Sequence, residues 1–203
     1  PEHLRQDPDN RFLWRMNRRR LEAEILWDNV HAVSGTLNRT IGGRPVFPPL
    51  AADELAALRD RWHWPVSADP KSHTRRGIYI VVRRNFRFPM FEMFDAPVPA
   101  VSCPSRSVTT VAPQALWNLN NASVHLQAEH LAERIVAQTK GDREQSLTAL
   151  WWAALSRPPT EQELTEASAY LDKPTPSPGP LTKARLAPLC LAMFNLTEFA
   201  FID

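Results

Sequence analysis

The sequence predicts a mainly helical domain, orthogonal and irregular, with a long N-terminal helix. A loop-rich middle with one short extended segment follows, then a C-terminal group of four to five helices. Three observations carry this. Apolar residues recur at helical spacing at both ends of the chain. Helix-capping signatures punctuate the second half. Only one run, Ile78 to Val82, has the β-branched and aromatic character of a strand.

Composition fits one folded unit. The 203 residues are 43% hydrophobic and 23% charged, ordinary for a globular chain. Proline (19) far outnumbers glycine (6), so many connections are fixed in φ rather than slack. Net charge is +2, too small to argue for a polyanion by itself. No apolar run approaches the ~18 residues of a membrane span. No C-x-x-C-H haem motif and no C-x-x-C pair occurs, so no cofactor is expected in this chain. The chain opens on Pro1, Glu2 and His3 without an initiator Met or a signal peptide, and reads as an excised part of a longer protein.

The longest helix candidate is 7–35. Asp7 suits an N-cap, Pro8 the first helical position and Gly35 the stop. Such a helix would be about 40 Å long. A later start at Asn17 is the alternative, but it places Arg18, Arg19 and Arg20 in a first turn whose dipole opposes cations. The longer helix, kinked near Asn17, avoids that. Within it Arg18 with Glu22 and Arg20 with Glu24 make i,i+4 pairs.

The middle, 36–112, is expected to be irregular. Gly42, Gly43, Pro48 and Pro49 break the chain, and a short helix fits 52–59. Two tryptophans flank His63, and RFPMFEMFDAP holds one helical turn. No hairpin partner is evident for Ile78–Val82. From 113 onward the chain reads as helices: 114–119; 122–140 capped by Asn121 and closed by Gly141; one opened by Asp142 with Gln145; one opened by the capping box Thr160–Glu163; and 182–195, which Pro188 should kink or delay. KPTPSPGP at 173–180 reads as a connector, and the whole as a single domain spanning 1–203.

Candidate sites are few. Lys71, Arg75, Arg76, Arg83, Arg84 and Arg87 form an acid-free basic stretch interleaved with Tyr79, Phe86 and Phe88. That is a recipe for single-stranded nucleic acid, although core aromatics beside surface arginines explain it better at this net charge. His125 and His130 stand five apart, a spacing that does not place two imidazoles on one helix face, so no metal is expected. Cys103 and Cys190 can form one disulfide in an exported protein or remain separate thiols. Asn-x-Ser/Thr triplets at Asn38, Asn121 and Asn195 matter only in a glycosylating host.

Several segments carry a resemblance in order along the chain: Asn17–Glu24 (NRRRLEAE), Thr74–Tyr79 (TRRGIY), Val108–Leu116 (VTTVAPQAL), Leu155–Thr160 (LSRPPT) and Asn195–Phe199 (NLTEF). Together they resemble the C-terminal module of large exported planctomycete proteins, a planctomycete-specific domain of unknown function. In those proteins it usually follows a second uncharacterised domain and often a cytochrome c-like domain. Thr74, Gly77 and Ser156 depart from the family pattern, which has Asn, Ser and Gly there. The resemblance implies an exported, periplasmic or envelope setting and a multidomain parent. It brings no catalytic residues.

The expected function is therefore a non-catalytic structural or interaction module. Its partners are other domains of the parent or envelope proteins and not nucleic acid, and its setting is linked to electron transfer or polysaccharide handling. Arg18, Arg19, Arg20, Glu22, Arg75, Arg76, Arg106 and Gln114 form the candidate structural or anion-binding cluster, clamping 74–116. A carbohydrate-acting enzyme with a site at Arg19, Glu22, Arg76, Arg106 and Gln114 is the rival, and anion or nucleic-acid binding through 71–87 is a third reading.

Overall fold

A computed structural model describes residues 2–57, 64–84, 86–109, 112–172 and 180–202. The fold is mainly helical, with one two-stranded sheet among the described residues. Residues 58 and 59 of the expected 52–59 helix, Trp62 and His63, and most of the 173–180 connector lie outside the described residues.

The long N-terminal helix is not there. Helix α1 spans only Glu2–Gln6, β1 is Arg19–Arg20, and α2 runs Ala23–Ser34. Asp7 does bond backbone amides, but those of Arg11 (2.9 Å) and Phe12 (2.8 Å), which folds the chain back instead of opening a helix. Asn10, at φ 55°, donates to the Arg15 carbonyl (2.7 Å) and the Asn17 side chain (2.9 Å). Short polar side chains here compete successfully with the helix ladder. The arginines then follow a period of two, with Arg19 exposed and Arg20 buried. Strand β1 pairs antiparallel with β2, Phe201–Ile202, so the two ends of the chain meet. Gly35 stops α2 in the left-handed conformation at φ 82°.

In the middle, α3 is Ala52–Ala57 and α4 is Pro89–Met93. The expected strand is a 3-10 turn at Gly77–Tyr79 followed by a single parallel bridge from Ile80 to Val46. A second parallel bridge joins Asn38 to Arg75. The loop 36–50 is thus the partner that no hairpin signal announces.

The C-terminal part has six helical segments among the described residues: α5 Ala112–Asn120, α6 Ala122–Thr139, α7 Arg143–Leu155, α8 Glu161–Leu171, α9 Lys183–Phe194 and the single turn α10 Thr197–Ala200. Asn121 caps α6, Asp142 caps α7, and Thr160 with Glu163 forms a complete capping box on α8. Helix α9 begins at Lys183 and continues through Pro188, so the proline does not delay it.

Two apolar cores result. One gathers Leu131, Ile135, Leu147, Leu150, Leu186 and Cys190 from α6, α7 and α9. The other is aromatic, with Trp27, Trp64, Phe88, Phe91 and Phe94. Helix α2 is the wall between them: Val30 enters the first core, and Ala23, Leu26 and Trp27 enter the second. The disulfide is not formed. Cys103 is exposed and Cys190 is sealed in the helical core, both as free thiols. Burial raises the Cys190 thiol pKa to about 12, so it stays protonated.

His31, on α2, stacks on Trp27 at 4.0 Å and donates from Nδ1 to the Trp27 carbonyl at 2.9 Å. Burial, only partly opposed by that hydrogen bond and by Asp28, lowers its pKa to about 4 from 6.5. The unfolded chain then binds the extra proton first. His31 stabilisation is complete above pH 6.5 and is lost as pH falls from 6.5 towards 4. Urea unfolding at pH 7 and pH 4.5 should differ by about 2–3 kcal/mol, and His31→Gln should flatten most of that slope.

Candidate functional site

The predicted arginine cluster separates into three sets of contacts. Arg20, 4% exposed at its side chain, forms an ion pair with Asp95 at 2.8 Å. It also donates to the carbonyls of Phe94 (3.0 Å) and Thr109. Asp95 in turn accepts from the Thr109 amide (2.8 Å) and hydroxyl (2.8 Å). Gln114, on α5, donates to that hydroxyl (3.2 Å) and to the Met93 carbonyl (3.1 Å). Burial alone would raise the Asp95 pKa, but the Thr109 and Arg20 hydrogen bonds outweigh it and hold the pKa below the usual value. The network joins β1, the end of α4, the loop before α5, and α5 itself.

Arg106 makes the second set. It grips both oxygens of Glu24 on α2 (2.7 and 3.2 Å) and lies 3.4 Å from Glu22. The hydrogen bonds that Arg106 donates to Glu24 raise its pKa further. Arg19 approaches Glu22 at 3.5 Å. Arg19, Arg20, Glu22, Asp95 and Arg106 line one recess of about 220 Å³. An apolar recess of about 240 Å³, walled by Phe88, Phe91, Pro97 and Pro99, adjoins it across Arg106. Of the expected meeting of Arg19, Glu22, Arg76, Arg106 and Gln114, the structure brings Arg19, Glu22 and Arg106 to one recess and links Gln114 to Asp95 through Thr109, while Arg76 does not line it.

Arg75 and Arg76 lie elsewhere. Arg76 pairs with Asp28 (3.1 Å), whose other oxygen accepts from the Gly77 amide (2.6 Å). Arg75 is buried, covers the Tyr79 ring at 3.8 Å, and donates to the carbonyls of Arg44 (3.0 Å), Thr40 (3.2 Å) and Gly42. The Tyr79 hydroxyl accepts from the Gly42 amide at 2.8 Å, so this pair fixes the glycine loop. Arg18 covers the Phe201 ring at 4.9 Å. The i,i+4 pair Arg20–Glu24 does not form, because Arg20 turns to Asp95 and Glu24 to Arg106.

The basic stretch 71–87 is turned inward only in part, with Lys71, Arg76 and Arg84 exposed. Arg87 bonds Glu92 (2.5 Å) and the Ala96 carbonyl (3.1 Å), and Arg83 covers Phe47 at 5.1 Å. Phe88 is in the aromatic core. Among the described residues no group of His, Cys, Asp and Glu could hold a metal ion, and no helix is long and apolar enough to cross a membrane.

Asp95 and Thr109 are the site residues that sequence reasoning missed. Asp95 sits in a left-handed conformation at φ 61° just after α4, a position where Asp is better tolerated than most residues. Arg157 is a further unforeseen anchor: it binds Glu163 (2.8 Å) and Glu198 (2.6 Å), fastening the α7–α8 turn to α10.

A family profile described as PSD1, protein of unknown function (DUF1553), matches residues 1–171. The chain belongs to the PSD1 family. No curated protein matches it, and no solved structure matches it. The matched span of this PSD1 chain takes in β1, α2 and the whole arginine network and ends at Leu171, while α9 supplies Leu186, Cys190 and Met193 to the helical core.

Gly77 is the tightest joint of the site. A Cβ there would lie 2.8 Å from the Glu24 carbonyl oxygen and 2.9 Å from Glu24 Cα. Gly77→Ala should cost about 1–3 kcal/mol in chemical denaturation. It should also loosen Arg106 from Glu24, read as faster amide exchange over 101–109.

Proposed function

We propose that the chain is a non-catalytic structural and interaction module of a larger exported, multidomain planctomycete envelope protein. Its partners are the other domains of that protein or neighbouring envelope proteins. The parent's work is linked to electron transfer or polysaccharide handling. The exported setting and the planctomycete source rest on the resemblance of the five sequence segments. The module reading rests on one observation: Arg20, Arg75, Arg76 and Arg106 direct their guanidinium groups to carboxylates and carbonyls of the chain itself. Cations held this way fix backbone and leave little for a substrate.

A carbohydrate-acting enzyme is the second reading, and the recess at Glu22 is what favours it. General acid catalysis at neutral pH needs a carboxyl with a raised pKa. Asp95 is shifted the opposite way, and Glu22 and Glu24 both face Arg106.

Two measurements separate these readings. The chain is incubated with a panel of polysaccharides and assayed for new reducing ends beside Glu22→Gln. Equal background from both is expected. Turnover that Glu22→Gln abolishes at unchanged melting temperature contradicts the proposal. Deleting residues 1–203 from the full-length protein should make the remainder more sensitive to protease; unchanged resistance speaks against a structural role.

A further inference from the structure

We infer that the loop 7–17 is a docking knob for another folded domain, one offering an apolar pocket ringed by carboxylates. This deepens the module reading and rests on it.

The loop is built from inside. Asp7 and Asn10 are buried and hold it through the backbone amides of Arg11, Phe12 and Arg15 and the carbonyl of Arg15. With Asp7 and Asn10 turned inward, the apolar side chains of the loop are left exposed. Phe12 is 85% exposed and Leu13 74%, and Met16 and Trp14 are exposed beside them. Leu13 adopts φ 54°, an uncommon conformation for a leucine. The Trp14 Nε1–H already donates to the Asp7 carbonyl at 3.0 Å. The indole can therefore enter an apolar pocket without stranding a donor. Adjacent large apolar side chains on a braced loop mark a contact surface, not a random exposure.

Charge selects the occupant. Arg5, Arg11, Arg15 and Arg19 are exposed around the knob, against the exposed acids Glu2 and Asp9. Residues 2–20 hold six arginines and no lysine. Trp, Phe, Met and Arg enriched with Lys absent is the composition of protein interface centres. The planar guanidinium favours carboxylates of fixed geometry, whereas an anionic lipid surface accepts lysine equally well. A second copy of the chain would bring the same cations and repel.

The test places a photo-cross-linking benzoylphenylalanine at Phe12 or Leu13 of the full-length protein in its own host, with Trp152 and Leu126 as sites on other faces. Cross-linked peptides are then sequenced by mass spectrometry. The expected result is one shared peptide from positions 12 and 13, at an apolar residue with Asp or Glu beside it. Arg11→Glu with Arg15→Glu should cut that product at least tenfold, and reversing the facing carboxylates to arginine should restore it. Cross-links to phospholipid, or to an uncharged or basic protein surface, overturn the inference. Protein cross-links from Trp152 or Leu126 alone overturn this surface and leave the module reading intact. No protein cross-link from any of the four positions overturns both.

Discussion

The ion pair between buried Arg20 and half-buried Asp95 is the constraint on which the rest of the structure depends. It brings together three parts of the chain that local propensity alone leaves apart: the segment before α2, the end of α4 and the loop leading into α5. A guanidinium this buried is costly to desolvate unless its donors are met. Here one carboxylate and two carbonyls meet its Nη1 and Nη2 groups, while its buried Nε–H has no hydrogen-bond partner among the described residues; Thr109 and Gln114 complete the shell on the acid side. One residue further on, the Leu21 amide bonds the Ala200 carbonyl at 2.8 Å, so the same few residues fasten the C-terminus as well.

Arginine has a repeated structural use in this fold. Arg134 donates to the Val33 carbonyl (2.6 Å) near the end of α2, while Arg143 and Arg185 reach the carbonyls of Ser168 and Leu171 near the end of α8. Each satisfies terminal carbonyls that a helix cannot satisfy itself, with the charge placed to suit the dipole. Arg75 does the same for a glycine loop. A chain with many arginines and little net charge need not be a nucleic-acid binder, because its cations can be absorbed by its own backbone.

What the sequence revealed divides by the range of the forces involved. Helices α6, α7 and α8 were legible because their caps lie within a few residues of the turns they satisfy, as Thr160 and Glu163 show. The α2 stop at Gly35 was legible for the same reason. The start of the N-terminal helix was misread: Asp7 and Asn10 have the chemistry of a cap, but they close a loop four and five residues ahead. The parallel bridges at Asn38 and Val46 had no local signal, since their partners Arg75 and Ile80 lie more than thirty residues away. At the site, Arg19, Glu22, Arg76, Arg106 and Gln114 were expected to converge; Arg19, Glu22 and Arg106 share a recess, whereas Arg76 pairs with Asp28. The partner of Arg20 was not foreseen, because Asp95 is a single acid in a loop and only tertiary packing selects it.

A double-mutant cycle on Arg20→Met and Asp95→Asn, measured by equilibrium unfolding in urea, tests this dependence most directly. If the pair organises the fold, each single change costs about 3–5 kcal/mol and the two are coupled by about 2 kcal/mol or more. Additive effects within about 0.5 kcal/mol would contradict it and would leave the aromatic core alone to join the two ends of the chain.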